Sequence, residues 1–440
     1  MFSTDVDIVV IGAGVAGLTA TAALHQAGLR VCCVEARDRI GGRILTVRDP
    51  LSPVPIELGA EFVHGRAAEI WDLIRGARLT AYETESRMIH VESGKILDEQ
   101  KIDNPLKRVL AGVQNSANNE KDESFLSFLN RSSYSDREKY WSASYIEGFN
   151  AARKEIISLA SIAKDARASD HIEGDRTFRI LNGYDAVPLT LLNGIRGPKA
   201  ALQLNSVVQS VQWEPGSASV HVRSAIDNWR GTLRASKVLI TVPLGVLQAA
   251  PDPDGAIHFD PEPHHIVEAA RALSYGQAIR ITLRFDHAFW TSNKELAAFG
   301  FILSDEPLFP TWWSYLPIEA PILTAWSAGP KADALLGKSK QAIVAEALAS
   351  LNRISRAQPS RVESAYFHDW HGDPFSRGAY SYVPAGALSA RKTLAEPVAD
   401  TLYFAGEATD LNGYSGTVHG AILSANRAVQ QILSIHKPGT

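Results

Sequence analysis

The alternation of apolar and polar positions is most informative at the two ends of the chain. Residues 8–11 form an unbroken apolar run, the signature of a strand covered on both faces. Glycines at 12, 14 and 17 interrupt it. Residues 18–26 are then alanine-rich and helical in character, and Gly28 falls where a helix closes on a left-handed residue. Residues 29–34 predict a second strand that stops on Glu35. At the far end, residues 402–405 form another short apolar run, halted by Gly406 and followed at once by a lone carboxylate, Glu407. The segment "LNGYSGTVHGAILSANRAVQQIL" reads as a loop opening into a helix. Between the ends, residues 124–129 and 137–149 are helical in pattern, and "LQLNSVVQSVQWEPGSASVHVRS" alternates as strands do. There are no internal repeats.

A chain of 440 residues exceeds one ordinary core and predicts two domains. With 45% apolar and 21% charged residues it is an ordinary globular composition. The net charge of -4 is spread with both signs mixed, so no basic arm or acidic tail points to nucleic acid or an anionic membrane. Cys32 and Cys33 are the only cysteines; strand neighbours face opposite ways, so a disulfide between them is not expected. A reducing compartment fits. The start, "MFSTDVD", lacks the charged region of a secretion signal, apolar runs are broken by glycine, and "SIHKPGT" is no membrane anchor. A soluble cytoplasmic protein is the expectation. The histidine groups at 264–265 and 368–371 have no partnering cysteines, so no metal site is expected.

The first strand, glycine turn and helix have a readable chemistry. Gly12 permits the tight turn, Gly14 lets backbone approach a pyrophosphate, and Gly17 allows close packing of helix on strand. The helix N-terminus offers free N–H groups to phosphate. Glu35, 23 residues after Gly12, stands where a ribose-binding acid is expected. This motif does not separate NAD from FAD. "EARDRIGGRILTV" continues with Ala36, Arg37, Gly41, Gly42 and Arg43, a second glycine pair whose arginine would close over a bulky diphosphate; alone it also reads as a solvated turn. "IELGAEFVHG", residues 56–65, adds a further glycine turn after a short strand.

In order along the chain, "GAGVAGLTA", "EARDRIGGR", "ELGAEF", "YFAGEATD" and "SGTVHGA" resemble the flavin-dependent amine oxidase family, which includes monoamine and polyamine oxidases, L-amino-acid oxidases and lysine-specific histone demethylases. The likeness runs from residue 6 to about 430. It implies an α/β fold: a Rossmann-like FAD-binding domain plus a discontinuous α+β substrate domain with a mixed sheet and helices. The expected segments are 1–78, 196–250 and 362–440 for FAD, and 79–195 and 251–361 for substrate. The cofactor implied is FAD, held by Gly12, Gly14, Ala16, Gly17, Glu35, Ala36, Arg37, Gly41, Gly42, Arg43, Gly59, Ala60, Glu61, Phe62, Trp370, Gly406, Glu407, Thr417 and Val418. Gly406 and Glu407 would lie beside the pyrophosphate and ribityl chain, and the helix opening at Thr417 and Val418 would face the flavin's pyrimidine edge. Val208 would meet the adenine through its backbone, although the sequence alone makes it a plain strand residue.

On the substrate side the resemblance matches Trp370 and Tyr380, in "DWHGDPFSRGAYSYVPAG", to a tryptophan near the flavin and an aromatic wall of the substrate cage; aromatics in such loops also serve as core packing. Monoamine oxidases carry a flavin-bound cysteine just before that tyrosine. Ala379 stands there, so FAD should be bound without a covalent link. Thr417 replaces a second, often tyrosine, wall and implies a wider site. His64 occupies the place of a polyamine-attracting glutamate, or is a structural loop histidine. In "YGQAIRITLRFDHAFW", Arg280 matches the family's active-site lysine, which holds a water against the flavin; a structural ion pair is the other reading of Arg280. In "FPTWWSYLP", Trp313 and Tyr315 share one strand face, suited either to an apolar funnel or to the core.

The expectation is an FAD enzyme that oxidises a small-molecule amine, apolar or aromatic, to an imine and passes electrons to dioxygen or another acceptor. Its candidate catalytic residues are Arg280, Tyr380, Thr417, Trp370 and His64. An L-amino-acid oxidase or a C–C desaturase is the alternative within the enzymes, and an interaction scaffold is the alternative outside them. Nothing in the sequence fixes an oligomeric state.

Overall fold

The computed structural model describes residues 5–97, 103–116, 122–195, 197, 199–227, 229–250, 254–356 and 360–434. The outermost residues of the expected segments, 1–4 and 435–440, and the boundary residues 196 and 251 lie outside these. Two large sheets organise the chain. The first has parallel strands Ala200–Gln203, Val31–Val34, Asp5–Ile11 and Arg230–Ile240 in that spatial order. It continues through the antiparallel hairpin of Ser217–Ser224 and Ser206–Glu214, and His258–Asp260 pairs beyond it. Leu402–Phe404 adds in parallel beside Val238, Leu239 and Ile240.

The helix Val15–Gln26 joins the first two strands, and only Ala23, His25 and Gln26 of its residues escape burial. It ends as the pattern predicts. Gly28 has φ +92, its N–H donates to the His25 carbonyl and the Leu29 N–H donates to Leu24, which completes a Schellman cap. Against this helix packs the last one, Val418–Ser434, through Ile422, Ala425, Val429 and Ile432 at three- and four-residue spacing. Burying each such branched side chain is worth about 1.5–3 kcal/mol, so the two ends of the chain are joined by a real core.

The second sheet is mixed and seven-stranded, in the order Val362–Tyr366, Ala278–Phe285, Ile322–Ala328, Thr311–Trp313, Phe301–Ser304, Met88–Glu92 and Lys95–Leu97. The helix Lys340–Ser355, capped by the Ser339 hydroxyl, covers it with Ile343, Ala347, Leu351 and Ile354. The predicted helical stretches are Phe125–Arg131 and Asp136–Asn150, started by Ser124 and by a reciprocal Ser135–Glu138 capping box. Trp312 is fully buried in the second core, whereas Trp313 points towards residue 61 and Tyr315 packs on Val54 and Ile56.

The expected segments and the packing differ at three places. Phe178, Ile180, Val187 and Leu191 pack on the first sheet's core, although they precede 196. Ile266, Ala269 and Ala270 pack on its other face, although they follow 250. Val362–Tyr366 pairs in the second sheet, although it follows 361. Core contacts of the first sheet thus begin about 18 residues before 196 and run about 20 past 250, because the strand Thr177–Ile180 and the helices Ala186–Asn193 and His264–Ala272 pack on that sheet, while the third difference is a strand of five residues. No helix among the described residues is long and apolar enough to cross a membrane.

Candidate functional site

The glycine turn ends the first strand beneath the start of its helix. Gly12 takes φ +102, and a Cβ there would stand 2.9 Å from Thr241 Oγ1. A Cβ on Gly17 would lie 1.8 Å from the Gly12 carbonyl oxygen, so the helix rides directly on the turn. Gly14 precedes the first helical residue, and a Cβ on it would have nothing nearer than the Gly42 Cα at 4.0 Å. Gly41 bridges to Gly14, and Gly42 at φ +59 faces it, so two bare backbones line one opening at a helix N-terminus beside the buried Ala16.

Glu35 is buried at the end of its strand and accepts from the Ala13 N–H at 2.7 Å and the Arg37 N–H at 3.0 Å. A carboxylate has about four acceptor positions, so capacity is left for ribose hydroxyls. The half-buried Ala36 leads to Arg37, which donates to both oxygens of Asp373 at 2.8 Å; His368 meets the same carboxylate at 3.0 Å. Asn205 and Ser206 donate their N–H groups to the carbonyls of Arg37 and Glu35. This docks the next strand, in which Val208 is buried beside a bulge in the pairing between Val208 and Ser210. Val208 therefore sits close to Glu35 as a core residue.

Arg43 reaches across to the C-terminal corner. Its Nη1 donates to the Ala379 carbonyl at 2.6 Å and to Glu407 at 3.0 Å. Glu407 in turn accepts from the Ser381 hydroxyl at 2.7 Å, the Ser381 N–H at 3.3 Å and the Gly416 N–H at 3.0 Å. Burial pushes this carboxyl up, but Arg43 and Ser381 outweigh it and hold it below the usual range. The Glu407 carboxylate thus knots four separate segments together. What is open beside it is backbone: Gly406 has φ +128, and a Cβ there would meet nothing nearer than 3.9 Å. Thr417 and Val418 open the final helix as expected: the Thr417 hydroxyl accepts from the Gly420 N–H at 3.0 Å and donates to the Tyr414 carbonyl, so it caps the helix, and Val418 packs against the first sheet's core.

The turn at residues 58–62 is held from three sides. Trp370, 6% exposed, donates Nε1–H to the Leu58 carbonyl at 2.7 Å. A Cβ on Gly59 would lie 1.9 Å from the Arg43 carbonyl oxygen and 3.1 Å from the Trp370 ring. Ala60 donates to the Arg43 carbonyl. Arg280 donates to the Gly59 carbonyl at 2.9 Å and pairs with Glu61. Arg179 donates to the other Glu61 oxygen at 2.5 Å, and Trp313 Nε1 donates to Glu61 at 3.1 Å. The Arg179 guanidinium lies between the rings of Phe62 and Tyr315. Glu61 would be raised by burial, yet the two arginines keep it below the ordinary carboxylate range. Of the two readings of Arg280, the ion pair is the one observed, and it is made at the turn the resemblance assigns to the flavin.

Around that turn the walls are aromatic. His64 packs on Phe62 and edge-on to Phe149, each at 6.1 Å between ring centres, and Phe149 stacks on Tyr145. Tyr380 donates to the Phe149 carbonyl at 2.7 Å and covers Gly416. Burial lowers His64 to about 4; burial, then His64 itself, lowers His419 to about 3, so both rings are neutral near pH 7. The sequence reading gave no role to Arg179, Ser381, Asp373 or His419, although the last three lie within quoted motifs; it left Trp313 between a funnel and the core, and noted His368 only within a histidine group.

Glycine-lined backbone at a helix N-terminus, a ribose-spaced acid and a C-terminal glycine-acid corner define a dinucleotide-binding oxidoreductase. Residues 15–433 match the family described as flavin containing amine oxidoreductase, and the chain belongs to that family. Among curated relatives, a lysine-specific histone demethylase 1 homolog 3 of Arabidopsis thaliana is 28% identical over 98% of this chain but only 30% of its own length. A probable polyamine oxidase 4 of the same plant is 27% identical over 96% of this chain and 86% of its own. The chain spans about a third to a half of the demethylases it matches. Among solved structures, a putrescine oxidase bound to putrescine superposes with TM-score 0.83 at 21% identity, covering 98% and 99% of the two chains. A cyclohexylamine oxidase from Brevibacterium oxydans IH-35A gives 0.82 at 19% identity, covering 99% and 100%. FAD is the cofactor, and the Gly14–Gly42 cradle, the spare capacity of Glu35 and the open backbone at Gly406 fit it.

Proposed function

We propose that this chain oxidises a primary or secondary amine bearing an apolar or aromatic group to the imine, with hydrolysis following in water. Bound FAD supplies the two-electron acceptor for the hydride lost from the carbon next to nitrogen. The observation that carries the reading is the neutral, aromatic wall of Phe62, His64, Tyr145, Phe149 and Tyr380. Glu61, next to Phe62, is taken up by two arginines, so it offers no counter-charge to a second ammonium.

In this reading Gly12, Gly14, Gly41 and Gly42 hold the diphosphate, Glu35 the ribose, and Gly406 the chain between them. The turn 58–62 and Trp370 support the ring. The aromatic wall, uncharged although Phe149 is half exposed, disfavours an ammonium and favours the neutral amine that can release hydride. Tyr380, fixed through its hydroxyl, orients the substrate group, and uncharged His64 accepts a hydrogen bond from the amine. Ala379 offers no sulfur, which supports non-covalent FAD.

The test is anaerobic mixing of the FAD-loaded protein with cyclohexylamine, benzylamine, putrescine, spermidine and L-amino acids while flavin absorbance is followed. Bleaching by the apolar monoamines first is the expected result. Preference for putrescine or spermidine overturns the substrate class, and bleaching by amino acids alone transfers the reading to an L-amino-acid oxidase.

A further inference from the structure

The cluster at Glu61 has more positive than negative charge. Arg179 and Arg280 reach it from different strands, Thr177–Ile180 and Ala278–Phe285, and both are 5% exposed against 4% for Glu61. Counting charges, two guanidiniums and one carboxylate leave one positive charge away from water. Glu57, which interacts with Glu61 and Arg280, is pushed up to about 7 by burial and so offsets that charge only in part near neutral pH. Arg280 Nε, Arg179 Nη1 and the Tyr315 hydroxyl have no hydrogen-bond partner among the described residues.

A buried charge without full compensation costs several kcal/mol, so its persistence calls for a compensating charge that arrives during the reaction. An arginine, unlike a lysine, cannot shed its proton to escape that cost. The charge is also aimed. Arg280 donates to the Gly59 carbonyl, and Gly59 is pressed between the Arg43 backbone and the Trp370 ring. Glu61 occupies the other end of the same guanidinium and cancels only one of the two cations.

We propose that Glu61 is a positioning residue: it fixes Arg280 at the Gly59 turn so that one uncompensated positive charge stabilises the cofactor after it has taken up a hydride. This rests on the placement of the flavin in the reading above. A hydride brings two electrons and one proton, adding one negative charge to the cofactor, and a preorganised cation there favours the reduced form without rearrangement.

The experiment measures the flavin midpoint potential and the dissociation constant of the sulfite adduct, a substrate-free probe of charge near the ring, on FAD-loaded protein. Arg280→Met should lower the potential and weaken sulfite binding about tenfold or more. Glu61→Gln, which removes a negative charge but keeps an acceptor of the same shape, should do the opposite. Arg280→Lys should keep the potential near that of the parent. If Glu61→Gln does not fold, Glu61→Asp replaces it: the charge is kept but the reach is lost, and the potential should still move. Shifts of the same sign in Arg280→Met and Glu61→Gln, or no shift in either, overturn the proposal and leave Glu61 a structural clasp. A parent chain that takes up no FAD removes the underlying reading as well, and the absence of flavin absorbance distinguishes that case.

Discussion

Replacing Arg43 with methionine tests the join between the two ends of the chain. The substitution keeps much of the side-chain length and removes the guanidinium, so Glu407 loses its only ion-pair partner among the described residues, and the Ala379 carbonyl loses a donor at 2.6 Å. Removing one member of a buried pair costs about 3–5 kcal/mol. Ser381 donates twice to Glu407 and Gly416 once, and these bonds still serve the carboxylate, which places the cost near the lower end, about 3 kcal/mol.

With an unfolding entropy of about 2.1 cal/mol/K per residue, a 440-residue chain melting as one unit loses about 1 °C per kcal/mol, so Tm should fall by about 3 °C. Glu407 is held below its ordinary range, so the pair's contribution is present above the unfolded carboxyl value of about 4.3 and is lost as pH falls through the folded value. The gap between parent and variant should therefore close in acid. Thermal unfolding of Arg43→Met, Glu407→Gln and the double variant supplies the assay. A coupling of at least about 1 kcal/mol is expected between sites this close. Strict additivity, or a Tm within experimental scatter of the parent, refutes the reasoning.

Three other outcomes follow from the geometry. Gly42→Val places a branched Cβ at φ +59, with that atom 3.3 Å from the Gly14 Cα, and should weaken FAD binding by about tenfold or more in a fluorescence titration. Arg280→Lys should speed reoxidation of the reduced enzyme by dioxygen in stopped-flow mixing, because a lysine frees space beside Gly59 for a water. His64 and His419 are lowered to about 4 and about 3, so the unfolded chain binds more protons below about 6.5; stability should decline as pH falls from there towards 4, and a His64→Phe/His419→Phe variant should flatten that profile in pH-dependent melts.

Local rules made parts of this legible. Gly28 closes the first helix as its position predicts, and Ser124 begins a helix within a residue of the expected start. The glycines at 12, 14 and 17 fall together because their roles are all within one turn. What sequence reading missed depends on partners far along the chain. Arg43 meets Glu407 across 364 positions, and Arg280 meets Glu61 across 219. Neither pairing leaves a spacing signature, so the sequence allowed an ion pair for Arg280 without naming its partner and gave no partner for Arg43. Thr417 was read by its place in a motif, while its hydroxyl answers a nearer demand, the open N–H at the start of a helix.

The most direct measurement is of the flavin itself. Purified chain should show the absorbance of one oxidised FAD per polypeptide, and acid precipitation should release that flavin into the supernatant, because Ala379 provides no sulfur to retain it. Colourless protein that takes up no added FAD, or flavin that stays with the precipitate, contradicts the account.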